Sequence, residues 1–343
     1  MSQIIRVLVV DDSAYTRKAV REMLSRSPYI EVVGTARDGL EALELVEELK
    51  PDLVTCDLMM PRLDGPGFVR QQMARRPLPI LVVSATQEDA ALALEALEAG
   101  AVDFVQKPTA LATDELFHLR EELVEKVKAA GQTPKERLKP QAVQTPAAAH
   151  RRTTRLEVVL IGISTGGPQA LRALLPKFPR DFPVPMAVVL HMPAGFTTLY
   201  AAKLNELCAL EFKEAAEGDL MQPGRCLLAP AGSHLRLRRS PNGSVVAQLS
   251  EQPTELLHRP AVDVLFRSAA EVYGPRVLGV VMTGMGSDGK DGAAWIKAQG
   301  GTILTEAESS CVIYGMPRSV MEAGLSDAAV PLELLAQAIT DRL

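Results

Sequence analysis

Three predicted strand ends in the second half of the chain carry residue types that could together hydrolyse an acyl bond. The apolar run VVLIGI, 158–163, stops at Ser164 and passes through two glycines into a helical pattern. His191 follows the next apolar run, and Asp288 lies in a glycine-rich loop after the run VLGVVM. Parallel strands end at a shared sheet edge, so we expect the three side chains to meet in one crevice. Acyl transfer to water requires such a nucleophile, base and orienting acid.

Each member of this set has an ordinary alternative. Ser164 stands where a helix N-cap would stand, and a glycine-rich turn after a strand could equally bind a cofactor phosphate. His258 is a competing base because it precedes Arg-Pro at a predicted helix start, whereas His234 lies in what reads as a polar turn. Asp263 and Asp291 are competing acids. The chain order serine, histidine, aspartate differs from the α/β-hydrolase order, and we expect no G-x-S-x-G elbow at the serine, so that fold is disfavoured.

A second group of polar residues follows the apolar runs of the first half. Asp11 and Asp12 come after the first run, Asp57 after the third, Ser84 after the fourth and Lys107 after the fifth. A single acid among them would be an ordinary loop residue, but together they fall on successive strand ends. Three neighbouring carboxylates repel one another unless a cation lies among them, and such oxygen ligands suit Mg²⁺. One carboxylate could then accept a phosphoryl group.

The elements that would position both groups are predicted by the alternation of short apolar runs with amphipathic segments. Residues 1–128 contain five strand and helix pairs, which predict a flavodoxin-like, doubly wound parallel sheet of five strands. Residues 129–154 contain three prolines and no apolar period, so we expect a flexible linker. Residues 155–343 predict a second doubly wound, mostly parallel α/β domain with a β-hairpin inserted around Pro241-Asn242-Gly243.

Length and composition agree with two globular domains. The chain has 343 residues, of which 47% are hydrophobic and 23% charged. A net charge of -5, without a basic face, argues against binding to nucleic acid. No apolar run approaches the roughly 20 residues that span a bilayer, and no signal-peptide pattern opens the chain, so we expect a cytoplasmic protein without membrane insertion. The four cysteines lack CxxC spacing, which disfavours zinc.

The first half resembles the response-regulator receiver domain, over about residues 1–128. The resemblance rests on the strand-end acids and on the Lys-Pro pair that begins at Lys107. It implies that Asp57 is the phosphoacceptor and that Asp11 and Asp12 join it in binding Mg²⁺. It also implies that Lys107 contacts the phosphoryl group and that Ser84 and Phe104 form the hydroxyl and aromatic switch pair.

A receiver followed by GISTGG, LHMP, HRPAVDVLF, TGMGSDG and CVIYGMPR resembles the chemotaxis protein-glutamate methylesterase family. The resemblance implies hydrolysis of glutamate methyl esters on chemoreceptors, with deamidation of receptor glutamines, by Ser164, His191 and Asp288. It implies an oxyanion site at the backbone N–H groups of Thr165 and Met285, and no cofactor for ester hydrolysis. The implied partners are the receptors and the histidine kinase of a chemotaxis array.

Two other functions are compatible with part of the sequence. The glycine-rich turn could hold a nucleotide in a receiver-gated binding module, but the next strand ends in His191 rather than in an acidic ribose partner. A receiver could also control a transcription factor, but the second half has no helix-turn-helix pattern and no basic face. Loss of ester hydrolysis in Ser164→Ala would separate the esterase from both.

Overall fold

The computed structural model describes residues 4–84, 89–107, 113–131 and 155–343, with only the backbone described at 84, 106 and 113–119. The chain divides into two compact units, Met1–Pro140 and Gln141–Leu343, and each is described by itself. Within these ranges, no helix combines the length and the apolar character that crossing a bilayer requires.

The first unit contains a five-stranded parallel sheet with helices between successive strands. The strands, β1 to β5, are Ile5–Val10, Ile30–Ala36, Leu53–Cys56, Ile80–Ser84 and Asp103–Gln106. The helices, α1 to α5, are Ala14–Ser25, Gly39–Leu49, Gly65–Arg75, Ala90–Ala99 and Thr113–Gly131. The strand order is β2-β1-β3-β4-β5. This order confirms the predicted flavodoxin-like sheet.

Two features of the helices in this unit bear on the sequence predictions. Side-chain caps begin α1 to α3, since Ser13, Asp38 and Asp64 each accept a hydrogen bond from a first-turn amide. Helix α5 ends at Gly131, so the segment that we expect to be a linker from residue 129 begins inside a helix. The rest of that segment, 132–154, lies outside the described residues.

The second unit contains a seven-stranded sheet in which all neighbouring strands are parallel. Its strands are β6 Val158–Ile163, β7 Met186–Leu190, β8 Glu211–Glu214, β9 Arg225–Leu228, β12 Val277–Val281, β13 Thr302–Glu306 and β14 Ala328–Val330. The order is β14-β13-β12-β6-β7-β9-β8. Strand β6 is central and wholly buried, as an uninterrupted apolar run predicts.

The predicted hairpin forms a separate two-stranded antiparallel sheet, β10 His234–Arg239 with β11 Val245–Ser250. The helices are α6 Gly167–Leu174, α7 Thr197–Leu207, α8 Val262–Tyr273, α9 Lys290–Ala298, α10 Met316–Glu322 and α11 Leu332–Thr340. The sequence patterns do not predict β8, β14 or α10. These elements are short, and the two strands lie at the sheet edges, where few positions need to be apolar.

Helix α8 packs closely against β6. A Cβ atom added at Gly162 would lie 2.3 Å from Cγ1 of Val262, the first residue of α8. Only glycine at this strand position allows the helix to approach so closely. The N-terminus of α8 is therefore held beside the ends of the central strands, where the candidate catalytic residues lie.

Candidate active site

Backbone hydrogen bonds bring the ends of β6, β7 and β12 together. The His191 amide donates to Ile163 O at 3.1 Å, and the Ser164 amide donates to Thr283 O at 3.0 Å. Strand β6 pairs with β7 on one side and with β12 on the other. Sequence reasoning expects this convergence of strand ends, and the register of the central sheet shows how it arises.

His191 and Asp288 form a buried pair. His191 Nε2 lies 2.8 Å from Asp288 Oδ2, and the two side chains are 8% and 11% exposed. A carboxylate only accepts hydrogen bonds, so Nε2 carries the proton and Nδ1 carries the lone pair. Nδ1 is buried and has no hydrogen-bond partner among the described residues. This nitrogen can therefore accept a proton from a hydroxyl group that approaches it.

Asp288 is held by the N-terminus of α8. Its Oδ2 accepts from Val262 N at 2.8 Å, and its Oδ1 accepts from Asp263 N at 3.0 Å. Burial opposes ionisation of Asp288, but the His191 interaction and the two amides outweigh burial and lower its pKa to about 2. Asp288 is therefore an anion across the physiological pH range, as an orienting acid must be.

The competing base and acids lie around this pair. The His258 ring stacks on the His191 ring with centroids 4.0 Å apart. Asp263 accepts hydrogen bonds from backbone amides at the start of α9, and Asp291 is exposed. The contacts of His191 thus favour Asp288 over both competing acids.

His234 does not lie in a polar turn, contrary to the sequence interpretation. It is fully buried as the first residue of β10. Its Nε2 lies 2.9 Å from Pro253 O, and its Nδ1 accepts from Ala261 N at 3.2 Å. His234 therefore holds both ends of the segment that carries His258 against His191. Sequence reasoning missed this role because no pattern showed that the hairpin packs on α8.

The turn after β6 presents Ser164 without backbone strain at the serine. Among the described residues outside glycine, positive φ angles occur only at Lys50 and Arg62, whereas Gly166 in the turn has φ of 80°. Residues 162–166 spell G-x-S-x-G, so the expectation that this motif is absent was wrong. The α/β-hydrolase elbow places its strain at the serine, so this turn has a different geometry.

The loop after β12 lies directly against Ser164. A Cβ atom added at Gly284 would lie 2.8 Å from Ser164 Cβ and 2.4 Å from Met316 Sδ. Thr283 Oγ1 donates to Thr165 O at 3.0 Å and accepts from Ile313 N at 3.0 Å. These contacts tie the serine turn to the loop that carries Met285 and Asp288.

A buried acid supports this loop from behind. Glu306 is fully buried at the end of β13, and its Oε2 accepts from Thr283 N at 2.9 Å. Burial raises the pKa of Glu306 to about 7, against the hydrogen bonds from Thr283 and Ser310, which lower it. Sequence reasoning missed Glu306, although an acid at the end of an otherwise apolar strand is a signal that could have found it.

A second cluster lies at the strand ends of the first unit. Lys107 Nζ is 2.6 Å from Asp11 Oδ2 and 3.2 Å from Asp57 Oδ1. Asp11, Asp12 and Asp57 can each offer a carboxylate oxygen, all within 4.8 Å of one another. Burial raises the pKa of Asp57 to about 6, with Lys107 opposing the rise and the Asp11 charge adding to it. This donor set fits a hard divalent cation.

Of the two predicted switch residues, the structure describes the side chain of Phe104 but not that of Ser84. Phe104 is buried on β5, opposite Val82 of β4. Ser84 ends β4, and its side chain lies outside the described part of the structure. Their pairing as a switch therefore stays a prediction.

Comparisons with known proteins agree with the motifs. Residues 159–339 match the family described as CheB methylesterase, and residues 7–118 match the response regulator receiver domain. A protein-glutamate methylesterase/protein-glutamine glutaminase of Myxococcus xanthus is 52% identical, over 96% of this chain and 95% of its own. One from Koribacter versatilis is 45% identical, over 96% and 94%. The crystal structure of the Thermotoga maritima CheB methylesterase catalytic domain is 39% identical with a TM-score of 0.54, covering 55% of this chain and all of its own.

Proposed function

The chain belongs to the CheB methylesterase family and carries a response regulator receiver domain, and on this premise we propose that it hydrolyses glutamate methyl esters on chemoreceptors and deamidates receptor glutamines. The observation that carries the proposal is the buried pair of His191 and Asp288 at the strand end beside Ser164. We place the receiver in residues 1–128 and the catalytic domain in residues 155–343, with a linker between them.

Ester hydrolysis begins with attack of Ser164 Oγ on the ester carbonyl carbon. His191 Nδ1 accepts the hydroxyl proton, while Nε2–H stays bonded to Asp288. The ring nitrogens thus have the opposite assignment to the serine-protease triad, in which Nδ1–H faces the acid. Asp288 serves either assignment, because its role is to orient the ring and stabilise the imidazolium.

The tetrahedral intermediate then breaks its bond to the methoxy oxygen. His191 Nδ1–H gives its proton to that oxygen, methanol leaves, and an acyl-enzyme remains on Ser164. Water attacks the acyl carbon with Nδ1 again as the base, which releases glutamate and restores the serine. Deamidation follows the same steps, with ammonia as the leaving group.

Backbone N–H groups of Thr165 and Met285 stabilise the oxyanion in this proposal. Because the Ser164 amide already donates to Thr283 O, the N–H groups that bind the oxyanion must come from the rest of the turn and from the facing loop. The Thr283 side chain, bonded to Thr165 O, holds that loop to the turn. Each such donor is worth roughly 3 to 4 kcal/mol in the transition state.

The receiver controls the esterase through phosphorylation of Asp57 by a histidine kinase. Asp11, Asp12 and Asp57 would hold Mg²⁺, which neutralises the charge that develops on the phosphoryl group. Lys107 already lies between two of these acids and would bind the phosphoryl oxygens. Ser84 would respond by moving toward the phosphoryl group, whereas Phe104 is already buried. The altered receiver surface would relieve an obstruction of the catalytic domain.

The test is methanol release from methylated chemoreceptors by the full chain. Ser164→Ala should abolish it while the protein keeps its thermal unfolding profile. Ser240→Ala, on the hairpin turn of the same unit, is the matched control and should keep full activity. Methanol release by the Ser164→Ala protein would show that the serine is not the nucleophile, and a nucleotide bound at the turn would favour the binding module instead.

A further inference from the structure

Helices α8 and α9 are capped by each other. Neither has a side-chain cap at its own N-cap residue, which is Ala261 for α8 and Gly289 for α9. Asp288, just before α9, accepts both amides at the start of α8. Asp263, in the first turn of α8, accepts from Gly289 N at 2.9 Å and Gly292 N at 2.6 Å at the start of α9. The reciprocal capping places two partly buried acids side by side.

The two carboxyl groups share one proton. Asp288 Oδ1 accepts from the Asp263 amide at 3.0 Å, which places the two carboxyl groups beside each other, and neighbouring carboxylates oppose each other's ionisation. Burial, followed by the Asp288 charge, raises the pKa of Asp263 to about 7, whereas the pKa of Asp288 is lowered to about 2. The proton therefore belongs to Asp263, and Asp288 accepts the bond.

We propose that Asp263 is a positioning residue for the esterase reaction, donating its carboxyl proton in a hydrogen bond that fixes Asp288 toward His191. This inference rests on the proposed function, because it assigns a role relative to the proposed acid. The bond adds to the two α8 amides that hold Asp288, while its Oδ2 faces His191 Nε2. Asp288 cannot then rotate without breaking all of these bonds.

The charged and titratable groups around the pair set its response to pH. They are His191 from the end of β7, Asp291 from the first turn of α9 and His234 from β10. When Asp263 loses its proton, a second anion stands beside Asp288 and the bond between the acids is lost. Activity should then fall as pH rises through about 7.

Two variants separate these effects in the full chain. Asp263→Leu removes the donor and should lower kcat by roughly 10- to 100-fold, with KM little changed. In Asp263→Asn, the amide N–H₂ donates to Asp288 while its oxygen accepts from the α9 amides, so the bond no longer titrates. The ratio of Asp263→Asn to wild-type kcat should rise roughly fivefold between pH 7 and pH 8. Glu271→Gln, which changes an exposed acid in the last turn of α8, should give a flat ratio.

The assay follows methanol from methylated receptors and, in parallel, p-nitrophenol from p-nitrophenyl acetate. The second ester reports the chemistry of Ser164 with a simple acyl group. If the wild-type protein released nitrophenol but no methanol, the proposed receptor substrate would be refuted, and the Asp263 test could still be carried out with the second ester. A folded Asp263→Leu protein with wild-type kcat would overturn the inference. A ratio of Asp263→Asn kcat to wild-type kcat that stays constant with pH would also overturn it. This second test remains valid even if the Asp263→Leu protein fails to fold.

Discussion

Glu306 gives the sharpest test of the energetics of the catalytic domain. Its carboxyl group is fully buried, with Thr283 N donating to Oε2 and Ser310 Oγ donating to Oε1, each at 2.9 Å. Among the described residues, no ion pair reaches it. Neutral donors compensate a buried anion incompletely, so the protonated form is favoured.

The stability change follows from the two protonation equilibria. Raising the pKa from 4.5 to about 7 on folding corresponds to about 3 kcal/mol, at about 1.4 kcal/mol per pKa unit. The folded state binds the proton more tightly, so this stabilisation is fully present below pH 4.5. It is lost as pH rises from there through about 7, where the folded protein also ionises.

Glu306→Gln should remove this pH dependence and keep the hydrogen bonds. The glutamine oxygen can accept from Thr283 N, and its N–H₂ can donate to Ser310 Oγ. The Ser310 hydroxyl can then donate its proton to Ala307 O, which lies 3.3 Å from Ser310 Oγ. We expect the variant to be more stable than wild type by up to about 3 kcal/mol at pH 8, with the difference falling to about 1 kcal/mol at pH 5.

Urea unfolding followed by tryptophan fluorescence measures this difference. The chain has one tryptophan, Trp295 on α9, so the signal reports the second unit within the intact protein. Glu206→Gln makes the same chemical change at an exposed position of α7 and should leave the free energy of unfolding unchanged at both pH values. A Glu306→Gln protein that is less stable than wild type at pH 8, or whose difference from wild type does not vary with pH, would refute the reasoning.

Three further outcomes test the proposed mechanism and its control. Asp288→Asn should lower kcat by about four orders of magnitude in the methanol assay, because His191 loses its orienting anion; near-normal turnover would exclude Asp288 as the acid. Asp57→Asn should accept no phosphoryl group from a radiolabelled donor, and labelling of that protein would identify another acceptor. Deleting residues 1–150 should raise basal activity, each tenfold rise needing about 1.4 kcal/mol; a truncated protein no faster than the unphosphorylated chain would exclude obstruction by the receiver.

Much of the fold follows from local sequence. The uninterrupted run before Ser164 predicts a buried central strand, and β6 is one. Apolar runs end where strands end, and parallel strands end at a shared edge. His191 and Asp288 could therefore be expected beside the serine before any contact was known. The acids and Lys107 of the receiver follow from the same rule.

Short strands and the residues at which helices end were harder to predict from the sequence. The edge strands β8 and β14 are too short to show a period, and α5 continues to Gly131 because nothing in the preceding residues stops it. Residues 162–166 match a nucleophile motif, but only the backbone angles show that the strain lies at Gly166 rather than at Ser164.

The parts of the site that tune its chemistry were decided by tertiary packing. Neither Ala261 nor Gly289 has a side chain that can cap a helix, and nothing near them in the sequence indicates that Asp288 caps α8 while Asp263 caps α9. Which nitrogen of His191 faces the acid depends on where α8 sets Asp288. The sequence determines which groups stand at the strand ends, because periodicity is a local property. Their protonation depends on burial and on partners that lie far apart in the chain, and only the folded protein supplies these.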